Sequence, residues 1–193
     1  MKKFKLTSEF IVDISGVKLF RIKALIEFGN VKAGDLGGYI EKEENLSHMG
    51  DAWVSDDARI SGNAQVFGNA QVFGNAQVFG DARVFGNAWV SGNARVFGDA
   101  QVSGNARVSG NARVSGDAQV FGDKDYAYAH GFGSCNRTTT FFRLKDGDVG
   151  VRCGCFYGTL AQFRDKVCET HGETKKAQEY LMLADLMEIR FKN

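Results

Sequence analysis

The sequence predicts a mainly β chain: a stack of short repeated strands, with a β cap before it and a small α+β domain after it. Three observations carry this. Twelve six-residue units run without a gap over residues 50–121, in the form Gly-(Asn/Asp)-Ala-x-Val-(Phe/Ser). The chain holds 24 glycines and no proline. Half of those glycines keep the same beat through the repeat, beside alanine and valine that a disordered Gly-rich segment would lack. The pattern then stops, and residues 124–193 carry hairpin and helix signals instead.

Residues 1–49 read as the cap. FIVDI and VKLFRI flank Ser15-Gly16 as a hairpin. Residues 30–54, NVKAGDLGGYIEKEENLSHMGDAWV, then form an irregular first coil with Ile40 and Leu46 in its core. Such a cap covers an end that would otherwise polymerise. In the repeat unit, residues 50–123, Ala and Val stand two apart and point to one side of an extended segment. The Gly-Asn between segments is a corner, because both residues tolerate positive φ. The second unit departs from the pattern, with Asp56 for glycine and Ile60 for valine. One such strand cannot bury its apolar face alone, so the units stack. In the last domain TTTFFRLKDGDVGVRCGCF is a hairpin about Asp146-Gly147. Thr159 and Gln162 form a capping box that opens a helix over 160–171, closed by Gly172. A second helix over about 175–191 carries Tyr180, Ala184, Met187 and Phe191 on one stripe, completing a ββαα module.

The hexads closely resemble the hexapeptide-repeat family. The resemblance implies a left-handed parallel β-helix with three hexads per triangular coil, hence about four coils, roughly 20 Å tall. GDLGGYI, NLSHMGDAWV and RTTTFFRLKDGDVGVRCGCFYGTLAQF are similar to segments of bacterial and prophage-encoded β-helix proteins with a small C-terminal domain. On this geometry residues 18 apart stack, and the phenylalanines point outward. One face carries Trp53, Gln71, Trp89 and Arg107. A second carries Arg59, Gln77, Arg95 and Arg113 beside Phe79 and Phe97. The third carries mostly neutral glutamines beside Phe67, Phe85 and Phe121. Ordered outward aromatic rows mark an interface. Members of the family are commonly trimers, so the third face is expected to form a homotrimer.

Lysine plus arginine number 24 against 23 aspartate plus glutamate, which supplies no drive toward duplex nucleic acid or membrane. The N-terminus lacks the apolar region of a signal peptide, and the four cysteines all lie in the last third, so a cytoplasmic protein with reduced thiols is expected. Cys153-x-Cys155 with Cys168-x2-His171 offers a Cys₃His zinc set, but its spacing is not a strong one. Small buried thiols, with no metal and no cofactor, are the preferred reading. The corner row Asn63, Asp81, Asp99 and Asp117 offers oxygens to a hard cation, yet Asn and Asp interchange freely at such corners. Acyl transfer, the activity the resemblance implies, needs a positioned general base. The coils hold no histidine and no extruded loop, and His48 and His130 lie outside them. What remains is a non-catalytic binding protein. Arg137 with Thr138, Thr139 and Thr140, together with Arg143 and Arg152, suits an anionic, nucleotide-like ligand, and Arg95 with Phe97 is a second candidate. With the prophage resemblance, this reads as a phage protein that sequesters a host nucleotide signal. A purely structural assembly module is one alternative, and an acyltransferase like those of the hexapeptide-repeat family is the other.

Overall fold

Every repeat alanine and valine from Ala52 to Val120, and Ile60 with them, is buried in one continuous core. A computed structural model describes residues 2–192. Twelve two-residue strands, β4 (Trp53–Val54) to β15 (Gln119–Val120), supply that core, one strand per hexad. Each of the first nine pairs in parallel with the strand 18 residues on, as Trp89 does with Arg107 and Arg95 with Arg113. The strands therefore form three sheets that wrap one solenoid.

The corners depend on glycine. Gly62 to Gly98 hold φ between 65° and 73°. An added Cβ at each would stand 3.0–3.1 Å from the next glycine nitrogen in the row. Asp56 occupies the exceptional corner at φ 56°, and its carboxylate accepts the Gly74 N–H at 2.9 Å. Asparagine side chains bond up the corner rows, Asn69 to Asn87 at 3.1 Å and Asn93 to Asn111 at 3.2 Å.

Before the repeat, β1 (Phe4–Val12) and β2 (Lys18–Ala24) make the expected hairpin. Asp13 Oδ1 accepts the N–H groups of Ser15 and Val17 in its turn. Then β3 (Leu36–Ile40) pairs antiparallel with β2 and parallel with β5 (Arg59–Ile60). Leu46 bridges in parallel to Val66. The irregular segment thus adds a further turn below the four regular ones, with Ile40 and Leu46 in the core as expected.

The two ends of the solenoid differ chemically, because the rung-to-rung bonds flanking the paired residues run one way. Trp53 N–H donates to Ala70 O and Arg59 N–H to Ala76 O, so carbonyls predominate among the groups these bonds leave free at the first rung, and N–H groups among those at the last. An unpaired buried backbone group costs about as much as a lost hydrogen bond. The lower end supplies donors. Lys3 Nζ donates to Gly50 O (3.1 Å) and Ala52 O (2.8 Å), and Asn45 Nδ2 donates to Gly62 O (3.1 Å) and Ala64 O (2.8 Å). The upper end supplies acceptors: Asp123 for Arg107 N–H, Thr140 for Arg113 N–H and Asp125 for Phe121 N–H, each at 2.9 Å. Capped in this way, neither end offers a template for another copy.

Lys3 is 1% exposed, with its amine 4.6 Å from the Phe28 ring centroid. Burial lowers its pKa to about 8, and the nearby Asp51 only partly offsets this. Between about pH 8 and the unfolded value near 10.5 the unfolded chain holds a proton that the folded chain does not. The Lys3 contribution to stability therefore rises with pH through that window. From pH 7.5 to 9.5 we expect the protein to gain about 1–2 kcal/mol in urea unfolding relative to Lys3→Met. Parallel pH profiles for the two proteins would contradict this.

After the repeat, the hairpin expected around Asp146-Gly147 is β17 (Arg137–Arg143) and β18 (Val149–Cys153). It lies at the centre of a four-stranded antiparallel sheet. β16 (Tyr126–Phe132) and β19 (Phe156–Thr159) flank it, two strands that the sequence reading leaves as connections. The capping box opens α1 (Leu160–His171): Thr159 Oγ1 accepts Gln162 N–H, and Gln162 Oε1 accepts Thr159 N–H. α2 (Lys175–Phe191) buries Tyr180, Ala184, Met187 and Phe191, as its stripe predicts. The strand β17 serves two cores. Phe141 faces the helices, whereas Phe142 plugs the end of the solenoid with Tyr126 and Leu144. Among the described residues no helix is long and apolar enough to cross a membrane.

Candidate anion-binding cleft

The C-terminal sheet leans on the second face of the solenoid, where Arg152 joins the two. Its guanidinium carbon lies 5.3 Å from the Phe97 ring centroid and 5.9 Å from that of Tyr157. Phe97 in turn stacks on Phe79 at 4.9 Å. Arg152 and Phe97, both expected to bind ligand, are thus engaged with each other across the junction. Tyr157 donates to Asp117 at 3.2 Å. Desolvation, with the Asp117 carboxylate beside it, pushes the Tyr157 pKa upward.

Beside this joint lies a cleft of about 640 Å³. One wall is the solenoid, with Arg95 and Arg113 on adjacent rungs and the hydrogen-bonded Asn93 and Asn111 at the corner. The other is made by two hairpin turns of the C-terminal sheet. These bring Cys135 and Asn136 from one turn with Arg137 and Thr138 at the start of β17, and Gly154 and Cys155 from the other turn. The first turn places Cys135 at φ 60° and Asn136 at φ 46°. It is tied back to α2, since Glu179 accepts Gly133 N–H at 2.7 Å and Tyr180 OH accepts Ser134 N–H at 3.0 Å. Gly154, at φ 59°, is small for a reason: a Cβ there would run into the Arg137 guanidinium.

Arg95, Arg113 and Arg137 therefore converge from two domains. Among the described residues none of the three is in an ion pair, and no Asp or Glu lines the cleft. Adjacent rungs stand about 4.8 Å apart, so two of these like charges are held side by side. An anion between the walls relieves that repulsion and gains charge-assisted hydrogen bonds.

The cleft unites the two separate candidates of the sequence reading, Arg95 on the solenoid and Arg137 with Thr138 on the sheet. Other expected ligand groups lie elsewhere. Thr139 is buried and donates to Cys153 Sγ at 3.2 Å, and Thr140 is buried at the solenoid end. Arg143 donates to Gly147 O and Phe191 O, in a separate depression that also holds Asp148 and Glu188. Arg113 enters the sequence reading only as a neighbour of Arg95 on the second face, and the asparagine pair does not enter it as a ligand. Their position on the last rungs, next to the sheet, is the signal that would have found them.

The thiols differ from the expected small buried set. All four are unpaired, Cys153 is half-buried, and Cys135, Cys155 and Cys168 are exposed. Cys153, Cys155, Cys168 and His171 do not converge, and among the described residues no three His, Cys, Asp or Glu side chains form a metal-holding group. His48 stacks on Phe4 and accepts the Lys3 N–H at the lower cap, while His130 shares a hydrogen bond with Thr138. On the third face Phe67 and Phe85 stack in parallel at 4.9 Å, and Phe121 is half-exposed. Trp53 on the first face is covered by Phe28 of the cap.

No curated protein matches the chain. Its hexads match the YdcK beta solenoid repeat in four overlapping stretches, residues 76–92, 88–104, 100–116 and 106–122. These include the rungs that carry Arg95 and Arg113. The chain is a repeat β-helix protein, with coils similar to the YdcK beta solenoid repeat forming one wall of an arginine-lined cleft.

Proposed function

We propose that this chain is a non-catalytic binding protein that holds a small, nucleotide-like anion between its solenoid and its C-terminal sheet. One observation carries the reading: three guanidinium groups without carboxylate partners line both walls of one cleft. Phosphate oxygens match guanidinium forks, and the asparagine pair and Thr138 supply neutral hydrogen-bonding groups beside them. A protein that holds such a ligand without converting it sequesters it, which fits a phage protein that removes a host nucleotide signal. Calorimetry with mono-, di- and cyclic nucleotides tests the reading. We expect at least one to bind with Kd below about 1 mM, and binding by none of them sinks it.

The protein works as a homotrimer in this proposal. The cap covers part of the first face and the C-terminal domain part of the second, which leaves the Phe67, Phe85 and Phe121 row on the third for self-association. Sedimentation should give about three times the 21.1 kDa chain mass, and Phe85→Asp should dissociate the assembly. A monomer at micromolar concentration overturns this part alone.

A further inference from the structure

The cleft holds two exposed thiols, Cys135 and Cys155, which anion binding does not use. We propose that Cys155 is a site of S-thiolation by small acidic disulfides, with the arginines of the cleft recruiting the reagent. This rests on the anion-cleft reading and adds a covalent step to it. Oxidised glutathione suits the site because it pairs a central disulfide with carboxylates at its ends.

Placement favours Cys155. It follows Gly154, the glycine whose missing side chain leaves room for the Arg137 guanidinium. A carboxylate drawn to Arg137, Arg113 or Arg95 therefore brings its disulfide close to the Cys155 sulfur. The thiolate of Cys155 attacks one sulfur of the disulfide, the S–S bond breaks, and a protein–glutathione S–S bond forms. The departing glutathione thiolate takes up the proton that Cys155 gave to solvent. One disulfide is consumed and one formed, so no further oxidant is required.

The product stays a mixed disulfide. Cys135 lies in the turn joining β16 and β17, and Cys155 in the turn joining β18 and β19. Those turns stand two strand spacings apart, roughly 10 Å. A disulfide needs Cα atoms about 4.4–6.8 Å apart, closer than the spacing of these turns, so the adduct is expected to stay on Cys155 rather than pass to Cys135.

Cys168 on α1 is the internal control. It is also exposed but lies outside the cleft, with Asp165 and Glu169 close to it in sequence. The full-length protein, freed of reductant, is treated with oxidised glutathione at low salt, and adducts are mapped by peptide mass spectrometry over time. Electrostatic focusing raises local reagent concentration by about tenfold or more and weakens with ionic strength. We expect Cys155 to react about ten times faster than Cys168. High salt, Arg137→Gln or the uncharged 2-hydroxyethyl disulfide should bring the two rates toward parity. Equal rates at low salt, the same preference with the uncharged disulfide, or an adduct on Cys135 instead would each overturn the proposal. If that happens while nucleotides still bind in an Arg137-dependent manner, the thiol site fails and the anion cleft stands. If Cys155 keeps its charge-dependent preference and no nucleotide binds, the thiol site stands and the nucleotide reading fails.

Discussion

Phe142→Ala should destabilise the protein by about 3–5 kcal/mol, the range for removing a fully buried aromatic side chain. The size of the effect follows from where the ring sits. Phe142 is fully buried against the end of the solenoid core, with Tyr126 and Leu144 beside it, so truncation opens a cavity under the last rung. The surroundings cannot collapse easily into it. The backbone there is pinned by the Arg113 N–H to Thr140 and by Tyr126, whose hydroxyl donates to Arg107 O. Phe141→Ala is the informative comparison. Its ring lies in the other core, against Phe163 at a centroid distance of 6.2 Å, so its loss should loosen the helices and leave the solenoid end closed. Urea unfolding gives both costs, and protease sensitivity near residue 120 separates them, rising for Phe142→Ala only. A cost below about 1 kcal/mol for Phe142→Ala would mean that the C-terminal domain does not plug the solenoid.

The solenoid was legible in the sequence because a hexad states the direction of every side chain it contains. Once Ala and Val are inside, the stacking partners of Arg95 or Phe97 follow by adding 18. The solenoid ends were not legible in the same way. Lys3, Asn45, Asp123 and Thr140 act through a property of the whole ladder, that one end is short mainly of donors and the other mainly of acceptors. No local pattern around any of them expresses it. The outer strands β16 and β19 were missed for a different reason. The four residues of β19 are too few for a periodicity, and the YAYAHGF of β16 ends in a glycine-rich run that reads as a connection. The cleft falls between these cases. Its residues were visible as two candidates, but their meeting depends on the docking of the sheet onto the second face. Arg152, read as a ligand group, is what makes that docking specific.

Removing the arginines from the two walls of the cleft should therefore act on a single binding event. Arg113→Ala and Arg137→Ala are each expected to weaken nucleotide binding by about 1.5–3 kcal/mol, or about ten- to a hundredfold. Arg113 keeps its backbone bond to Thr140 in that variant, so the solenoid end remains capped. The double variant discriminates more sharply than either single one. If one ligand bridges the walls, losing the first contact lets it shift and weakens the second, so the double cost should fall short of the sum by at least about 0.5 kcal/mol. Arg59 supplies the control for bulk charge. It lies on the same face two rungs below Arg95, outside the cleft. Arg59→Ala should change affinity by less than about twofold, because a charge two rungs away, roughly 10 Å, is largely screened at moderate salt. If Arg59→Ala weakens binding as much as Arg113→Ala does, the face attracts anions only by its net charge. The cleft would then have no claim to be a built site.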